Sequence, residues 1–286
     1  MKPIIYFYLP VFNEQDTVGV FLYRLSEVMT NIRMDYEVFL TLDGCTDDSA
    51  VVVEPYMQRM PLRVTQYQQR VGYGKSLYNA VSKVASKSSN PKRDFFLVLD
   101  ADFTYDPGIL KQMSAQIERN ADIFSPNRSK GWMKGISLVR KIAYRLARPI
   151  LHLRGIEVKE NSDLLCSFRG CRVQLLRRSM ARLKALGEMG PEITPAACIA
   201  VFSLALLNIA RKPVLIDLNN KKMRRRKSRF ELFRLLKFLL FSREITAAAA
   251  PVEQPPTRPR PPRRYSNKKR ERSSKIQTDR KRNPAV

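Results

Sequence analysis

Two carboxylates one residue apart, Asp100 and Asp102, follow directly on the apolar run of residues 95–99. A strand ending there delivers both side chains to the carboxyl edge of a sheet, where ligands of open α/β folds collect. Hard oxygen donors at this spacing suit Mg²⁺ or Mn²⁺ bridged to a diphosphate. A three-residue D-x-D string also forms ordinary solvated turns, so the pair gains meaning only from what the rest of the chain brings to it.

Other polar groups stand at similar junctions between apolar runs and helical patterns. Pro10, Phe12, Asn13 and Glu14 join a strand end to a helix start, where free backbone N–H groups meet a nucleotide; Asn13 serves equally well as a plain helix cap. Asp43 ends the apolar run of residues 36–42, placed to accept from a base or ribose, or to form an Asx-turn with Gly44. The string Gly74-Lys75-Ser76 resembles the end of a phosphate loop, but that loop needs a glycine five residues earlier, where Gln69 stands. Cys45, Cys166, Cys171 and Cys198 contain no C-x-x-C pair, and His152 is the only histidine. Free, mostly buried thiols in a reducing compartment are expected.

The elements that position these groups alternate in period. Strands are expected at residues 3–9, 36–42, 62–66 and the run ending at Asp100. A helix opening at Asn13 or Glu14 puts Val18, Phe21, Leu22, Leu25, Val28 and Met29 on one face; another follows Gly72 and Gly74 from about Ser76; and Pro107 suits the first turn of a third. The fold class is therefore α/β: a mostly parallel sheet flanked by helices on both faces, with the loops after residues 9, 42 and 100 on one edge. Residues 194–210 read as a buried helix, and the apolar N-terminus as a first strand, not a signal peptide; no transmembrane span is expected.

The net charge of +26 is unevenly spread. Residues 1–220 carry 30 basic and 21 acidic side chains, residues 221–243 carry 10 against 1, and residues 251–286 carry 12 against 3. Residues 221–245 combine KKMRRRKSR with the apolar FELFRLLKFLLF, the pattern of an interfacial helix on an anionic membrane surface. From 246 to 286 the chain is rich in Pro, Arg and Lys and is expected to be disordered, serving as a second electrostatic tether, a nucleic-acid-binding segment, a localisation signal or a solubilising tail. The division is thus a catalytic domain over 1–220, a membrane-interface helix over 221–245 and a tail.

Taken in order, these motifs resemble glycosyltransferase family 2, the inverting GT-A enzymes, and within it the dolichyl-phosphate mannose synthase group. Pro10, Phe12, Asn13 and Glu14 match P-x-Y-N-E. Asp43, Gly44, Thr46 and Asp47 match V-D-D-G-S-T-D, with Leu42 in place of the first Asp. Gly72 and Gly74 match G-x-G-x-A; Asp100, Ala101, Asp102 and Pro107 match D-A-D and its following helix. Asn127-Arg128, Arg140 and the segment from Asp163 to Arg169 are similar to the S-R pair, the helix-opening Arg and D-x-x-S-G-F-R of the lipid-phosphate branch. Thr104, Tyr144 and the Gly-less Arg224 to Arg229 depart from its pattern.

The resemblance implies transfer of a sugar, mannose or glucose, from a GDP- or UDP-sugar to a polyprenyl phosphate at the cytoplasmic face of a membrane. It gives Asp100 and Asp102 to the metal, Pro10, Phe12, Asn13, Glu14, Asp43, Gly74, Asp100 and Arg224 to the nucleotide, and Arg128 and Arg140 to the acceptor phosphate. Asp163 is the candidate base if the acceptor is a hydroxyl.

Overall fold

The computed structural model describes residues 2–32, 34–119, 121–127, 138–158, 163–211, 213–217 and 231–250. Strands β1 (Ile4–Val11), β2 (Asp35–Asp43), β3 (Leu62–Tyr67) and β4 (Phe95–Val98) are mutually parallel and lie in the order β3-β2-β1-β4. The sheet continues through β6 (Arg169–Arg172), β5 (Ile123–Asn127) and β7 (Pro213–Asp217), with β6 antiparallel to both β4 and β5. This is the expected mostly parallel α/β sheet.

Burial explains why the central strands are apolar without alternation. Ile5 to Leu9 and Phe95 to Val98 are buried, as strands covered by helices on both faces must be. Edge strand β3 is only partly buried, with Arg63 and Gln66 exposed. Helix α1 (Val18–Ile32) buries the face expected for it: Val18, Phe21, Leu22, Leu25, Val28 and Met29. It begins later than Asn13 or Glu14, because Asn13 takes a left-handed φ of 55° and the Glu14 carbonyl instead receives the first turn's N–H groups from Thr17 and Val18.

A short helix α2 (Ser49–Val53) follows β2, and helix α3 (Tyr73–Lys87) begins three residues before the expected Ser76, with Gly72 as its cap at φ 94°. Pro107 opens a 3₁₀ turn, Pro107–Ile109, capped by the Asp106 side chain and continuing into α4 (Leu110–Glu118). Helices α5 (Leu138–Leu153) and α6 (Val173–Gly187) follow, then α7 (Pro195–Leu207), in which every residue from Ala197 to Leu207 is buried. Among the described residues no helix is long and apolar enough to cross a membrane.

The chain closes with α8 (Leu232–Phe241) and α9 (Arg243–Ala249). Residues 246–249, expected to begin the disordered tail, belong instead to α9. Ser242 caps that helix, its alanines favour it, and Ile245 and Ala248 are buried. The basic run of residues 221–229 and residues 251–286 lie outside the described residues.

Candidate active site at the carboxyl edge of the sheet

Because β2, β1 and β4 are neighbours and parallel, the loops that leave them share one edge. Hydrogen bonds lock the first two loops together. Asn13 Oδ1 accepts the Thr46 N–H at 2.8 Å and Asn13 Nδ2 donates to Thr46 Oγ1 at 3.1 Å. Glu14 N donates to Ser49 Oγ at 2.9 Å, and Gln15 N to Asp47 Oδ2 at 3.1 Å. Asn13 therefore does not cap α1; it joins two loops. Burial alone would push the Asp47 carboxyl up, but the Ser49 hydroxyl and the Gln15 and Ser49 N–H groups together hold it below its ordinary value.

The loop after β3 forms the next wall. Buried Asp43 accepts the N–H groups of Val71 at 2.7 Å and Gly72 at 3.2 Å, an arrangement that is not the expected Asx-turn. Gly44, at φ 65°, lets this loop approach, since a Cβ there would lie 2.6 Å from Arg70 N. Arg70 places its guanidinium 4.0 Å from the centroid of the half-exposed Phe12 ring, a cation–π contact that joins the β3 loop to the β1 loop.

The D-x-D pair completes the edge. The Leu99 N–H donates to Tyr8 O at 3.0 Å, tying the end of β4 to β1. Beyond it, Ala101, Phe103, Tyr105 and Pro107 are buried while Asp102, Thr104 and Asp106 face solvent. Phe103 reaches its site through a left-handed φ of 58° and packs edge-on against Phe21, ring centroids 5.2 Å apart. Asp100 is half-buried and accepts from Ser167 Oγ; exposed Asp102 accepts the Thr104 N–H through Oδ1 at 2.8 Å. No group of three or more His, Cys, Asp or Glu placed to hold a metal occurs among the described residues, so Asp100 and Asp102 would offer a hard divalent ion their carboxylate oxygens alone.

Several expected site residues fall elsewhere. Gly74 is buried, and a Cβ there would lie 2.9 Å from Leu186 O and from Met189 Cβ, so this glycine also serves the packing of α3 on α6. Asp163 is fully buried, and its Oδ1 accepts the Leu165 N–H at 2.9 Å, while Arg169 donates to its backbone carbonyl and to Ser125 Oγ. That placement orders the loop leading into β6. Arg140 belongs to the first turn of α5, but its side chain, Arg128 and Arg224 lie outside the described residues.

Three residues at this edge carry no conspicuous sequence signal. Arg70 and Tyr73 merely flank a Gly-containing loop, and Ser167 sits inside the D-x-x-S-G-F-R-like string without a role suggested by its type. Tyr73 and Tyr8 feel the carboxylates of Asp100 and Asp43 respectively, although burial is the larger reason both phenols are held protonated. Burial also pushes the Cys166 and Cys198 thiols up to about 12, which excludes them as thiolate nucleophiles.

The family model for glycosyl transferase family 2 matches residues 6–181, which spans the whole of this edge. The chain belongs to glycosyl transferase family 2. This family 2 chain is 24% identical over 189 residues to a dodecaprenyl-phosphate galacturonate synthase of Rhizobium johnstonii, covering 63% of this chain and 50% of that protein. It is 25% identical over 172 residues to an undecaprenyl-phosphate 4-deoxy-4-formamido-L-arabinose transferase of Edwardsiella ictaluri, covering 59% and 49%. The chain thus spans about half the length of the curated relatives it matches. Its fold is similar to that of glucosyl-3-phosphoglycerate synthase from Mycobacterium tuberculosis, crystallised with Mn²⁺, UDP and phosphoglyceric acid. The TM-score is 0.56 at 16% identity, covering 87% of this chain and 80% of that one. The GT-A architecture expected from the sequence is the one observed.

Proposed function

We propose that this family 2 chain transfers a hexose from a nucleotide-sugar to a polyprenyl phosphate at a membrane surface. One observation carries the reading. Asp100 and Asp102 leave β4 beside the interlocked loops of β1 and β2 and the Arg70 loop, so that a diphosphate, its base and its sugar have one edge to occupy. The names of the curated relatives support the lipid-phosphate acceptor, and the Mn²⁺ and UDP of the structural relative support the donor class.

Asp100 and Asp102 would hold a divalent ion, which would supply Lewis-acid stabilisation of the departing diphosphate. The protein's own residues do the rest. Asn13 and Asp43 hold the loops around the nucleotide, and Phe12 with Arg70 offers a flat cationic wall against which a base can lie. Displacement at the anomeric carbon inverts its configuration. A phosphate acceptor arrives already ionised near neutral pH, so the reaction requires no general base; Asp163 would take that part only for a hydroxyl acceptor. Arg128 and Arg140 are the guanidinium groups we assign to the acceptor phosphate, and Arg224 to the diphosphate.

The test is a panel of UDP- and GDP-sugars with Mg²⁺ or Mn²⁺, scored for label transferred from the donor into organic-extractable polyprenyl phosphate. Asp102→Ala should abolish transfer and leave thermal stability nearly unchanged, because Asp102 is exposed. Full activity in that variant would overturn the metal assignment, and failure of every donor with every lipid phosphate would overturn the acceptor.

A further inference from the structure

The antiparallel pairing of β6 with β4 brings a hydroxyl to the D-x-D string. Val98 at the end of β4 faces Arg169 at the start of β6. Two residues further along each chain, in opposite directions, stand Asp100 and Ser167, and the pairing carries on to their side chains: Ser167 Oγ donates to Asp100 Oδ2.

The segment that delivers Ser167 is held at several points. The Asp163 carboxylate accepts the Leu165 N–H at 2.9 Å, Arg169 donates to the Asp163 carbonyl, and Ser203 of α7 donates to Leu164 O at 3.3 Å. On its other side the segment is tied to the loop that carries the two aspartates. The Tyr105 hydroxyl and Cys166 Sγ share a hydrogen bond at 2.8 Å, and the Tyr105 and Phe168 ring centroids lie 5.4 Å apart. Residues 163–166, 168 and 169 are buried while Ser167 is half-buried, so the anchored segment presents this one side chain at the edge of the site.

The residue type is also particular to this chain. In the pattern D-x-x-S-G-F-R the residue before Phe is glycine, which has no hydroxyl to donate. Here the string runs Asp163-Leu164-Leu165-Cys166-Ser167-Phe168-Arg169, and Ser167 stands in the glycine position.

A ligating carboxylate is oriented by its own hydrogen bonds, and removing such a partner typically costs about 10- to 100-fold in metal affinity. Orientation also discriminates between ions. Mg²⁺ demands a near-ideal octahedral shell, whereas Ca²⁺ tolerates irregular ones and readily takes both oxygens of one carboxylate. With Oδ2 engaged by Ser167, Asp100 is restrained from turning both oxygens toward a cation.

We propose that Ser167 is a positioning residue: by fixing the Asp100 carboxylate it makes this site select Mg²⁺ over Ca²⁺. The proposal rests on the reading of Asp100 and Asp102 as the metal carboxylates and deepens it by naming what sets their choice of ion.

The experiment measures by calorimetry the affinity of the intact chain for UDP and for GDP in Mg²⁺, in Ca²⁺ and in EDTA. Wild type should bind one of the two nucleotides at least about tenfold more tightly in Mg²⁺ than in EDTA, and more tightly in Mg²⁺ than in Ca²⁺. Ser167→Ala should lose about tenfold in Mg²⁺, less than about threefold in Ca²⁺ and nothing in EDTA. Its melting temperature should stay within about 3 °C of wild type. Ser167→Thr and Ser167→Val have the same shape and differ in the hydroxyl, so Ser167→Thr should bind in Mg²⁺ about tenfold more tightly than Ser167→Val.

A serine that merely braced its loop would weaken binding alike in all three conditions, and that result in Ser167→Ala would overturn the proposal. So would an unchanged ratio of Mg²⁺ to Ca²⁺ affinities in Ser167→Ala, or equal affinities of Ser167→Thr and Ser167→Val in Mg²⁺. Each of these leaves the metal assignment standing as long as wild type responds to Mg²⁺. Wild-type binding that is absent, or indifferent to Mg²⁺, would instead remove the metal reading of Asp100 and Asp102 and this role of Ser167 with it.

Discussion

The side-chain amide of Asn13 spans from the loop after β1 to Thr46 in the loop after β2, donating and accepting at once, from a backbone held at φ 55°. Asparagine tolerates that conformation better than other residues with a side chain, and its amide supplies both halves of the bridge. Asn13→Ala should therefore lose about 2 kcal/mol of stability in urea unfolding, from the vacated hydrogen bonds and the left-handed strain together. Asn13→Gly, relieved of the strain, should lose about half as much. Both should bind nucleoside diphosphate about tenfold more weakly by calorimetry, one broken positioning bond being worth roughly that factor; equal stability of the two variants would remove the strain argument.

Asp47 predicts a pH dependence. Its carboxyl is held below the ordinary value in the folded chain, so the contribution is fully present above the unfolded value of about 4 and is lost as pH falls through the lower folded value. Asp47→Asn should be less stable than wild type at pH 7, and the gap should close on acidification below about pH 4. Denaturation midpoints measured across that range decide it, and a gap that widens in acid would contradict the assignment.

Tyr73 carries a buried hydroxyl with no hydrogen-bond partner among the described residues. A buried donor left unmade costs more than a methyl-sized void where it stood, so Tyr73→Phe should raise stability by about 1 kcal/mol. A lower melting temperature would show that the hydroxyl is satisfied by water or by a shift of the loop.

Arg172 is buried and donates to the carbonyls of Ala121 at 2.9 Å, Arg93 at 2.6 Å and Ile117, joining the segment that enters β4 and the end of α4 to the start of α6. Burial lowers its pKa, with the charges of Asp122 and Asp94 opposing that effect. Arg172→Leu would remove all three of these hydrogen bonds and should cost about 3 kcal/mol; Arg172→Lys, with one ammonium in place of a planar fork, should recover only part of it. A loss below about 1 kcal/mol in thermal unfolding would show that water replaces the guanidinium.

The parallel half of the sheet was legible from residue order because its signal is local. Runs such as IIYFYLPV and YEVFLTL are apolar without alternation, which only a strand covered on both faces requires, and the face of α1 from Val18 to Met29 is fixed by helical spacing. The antiparallel insertion of β6 between β4 and β5 was not legible: four residues, Arg169–Arg172, with two charges carry no strand period, and their pairing is chosen by Leu97, Phe95 and Phe124, which press on Gly170 from neighbouring strands.

The sequence by itself determined which polar groups stand at strand ends, the two aspartates of the D-x-D string, the Asn13 and Asp43 junctions, and where the positive charge accumulates. Those are properties of chain order and composition. Only the tertiary structure decided what each group faces. It turned Gly74 inward to the packing of α3 on α6, sank Asp163 beneath its own loop, and bonded Asp43 to the β3 loop. The reason is physical: a side chain's type sets which interactions it can make, but burial and partners are supplied by residues distant in sequence, and these exist for it only once the chain has folded.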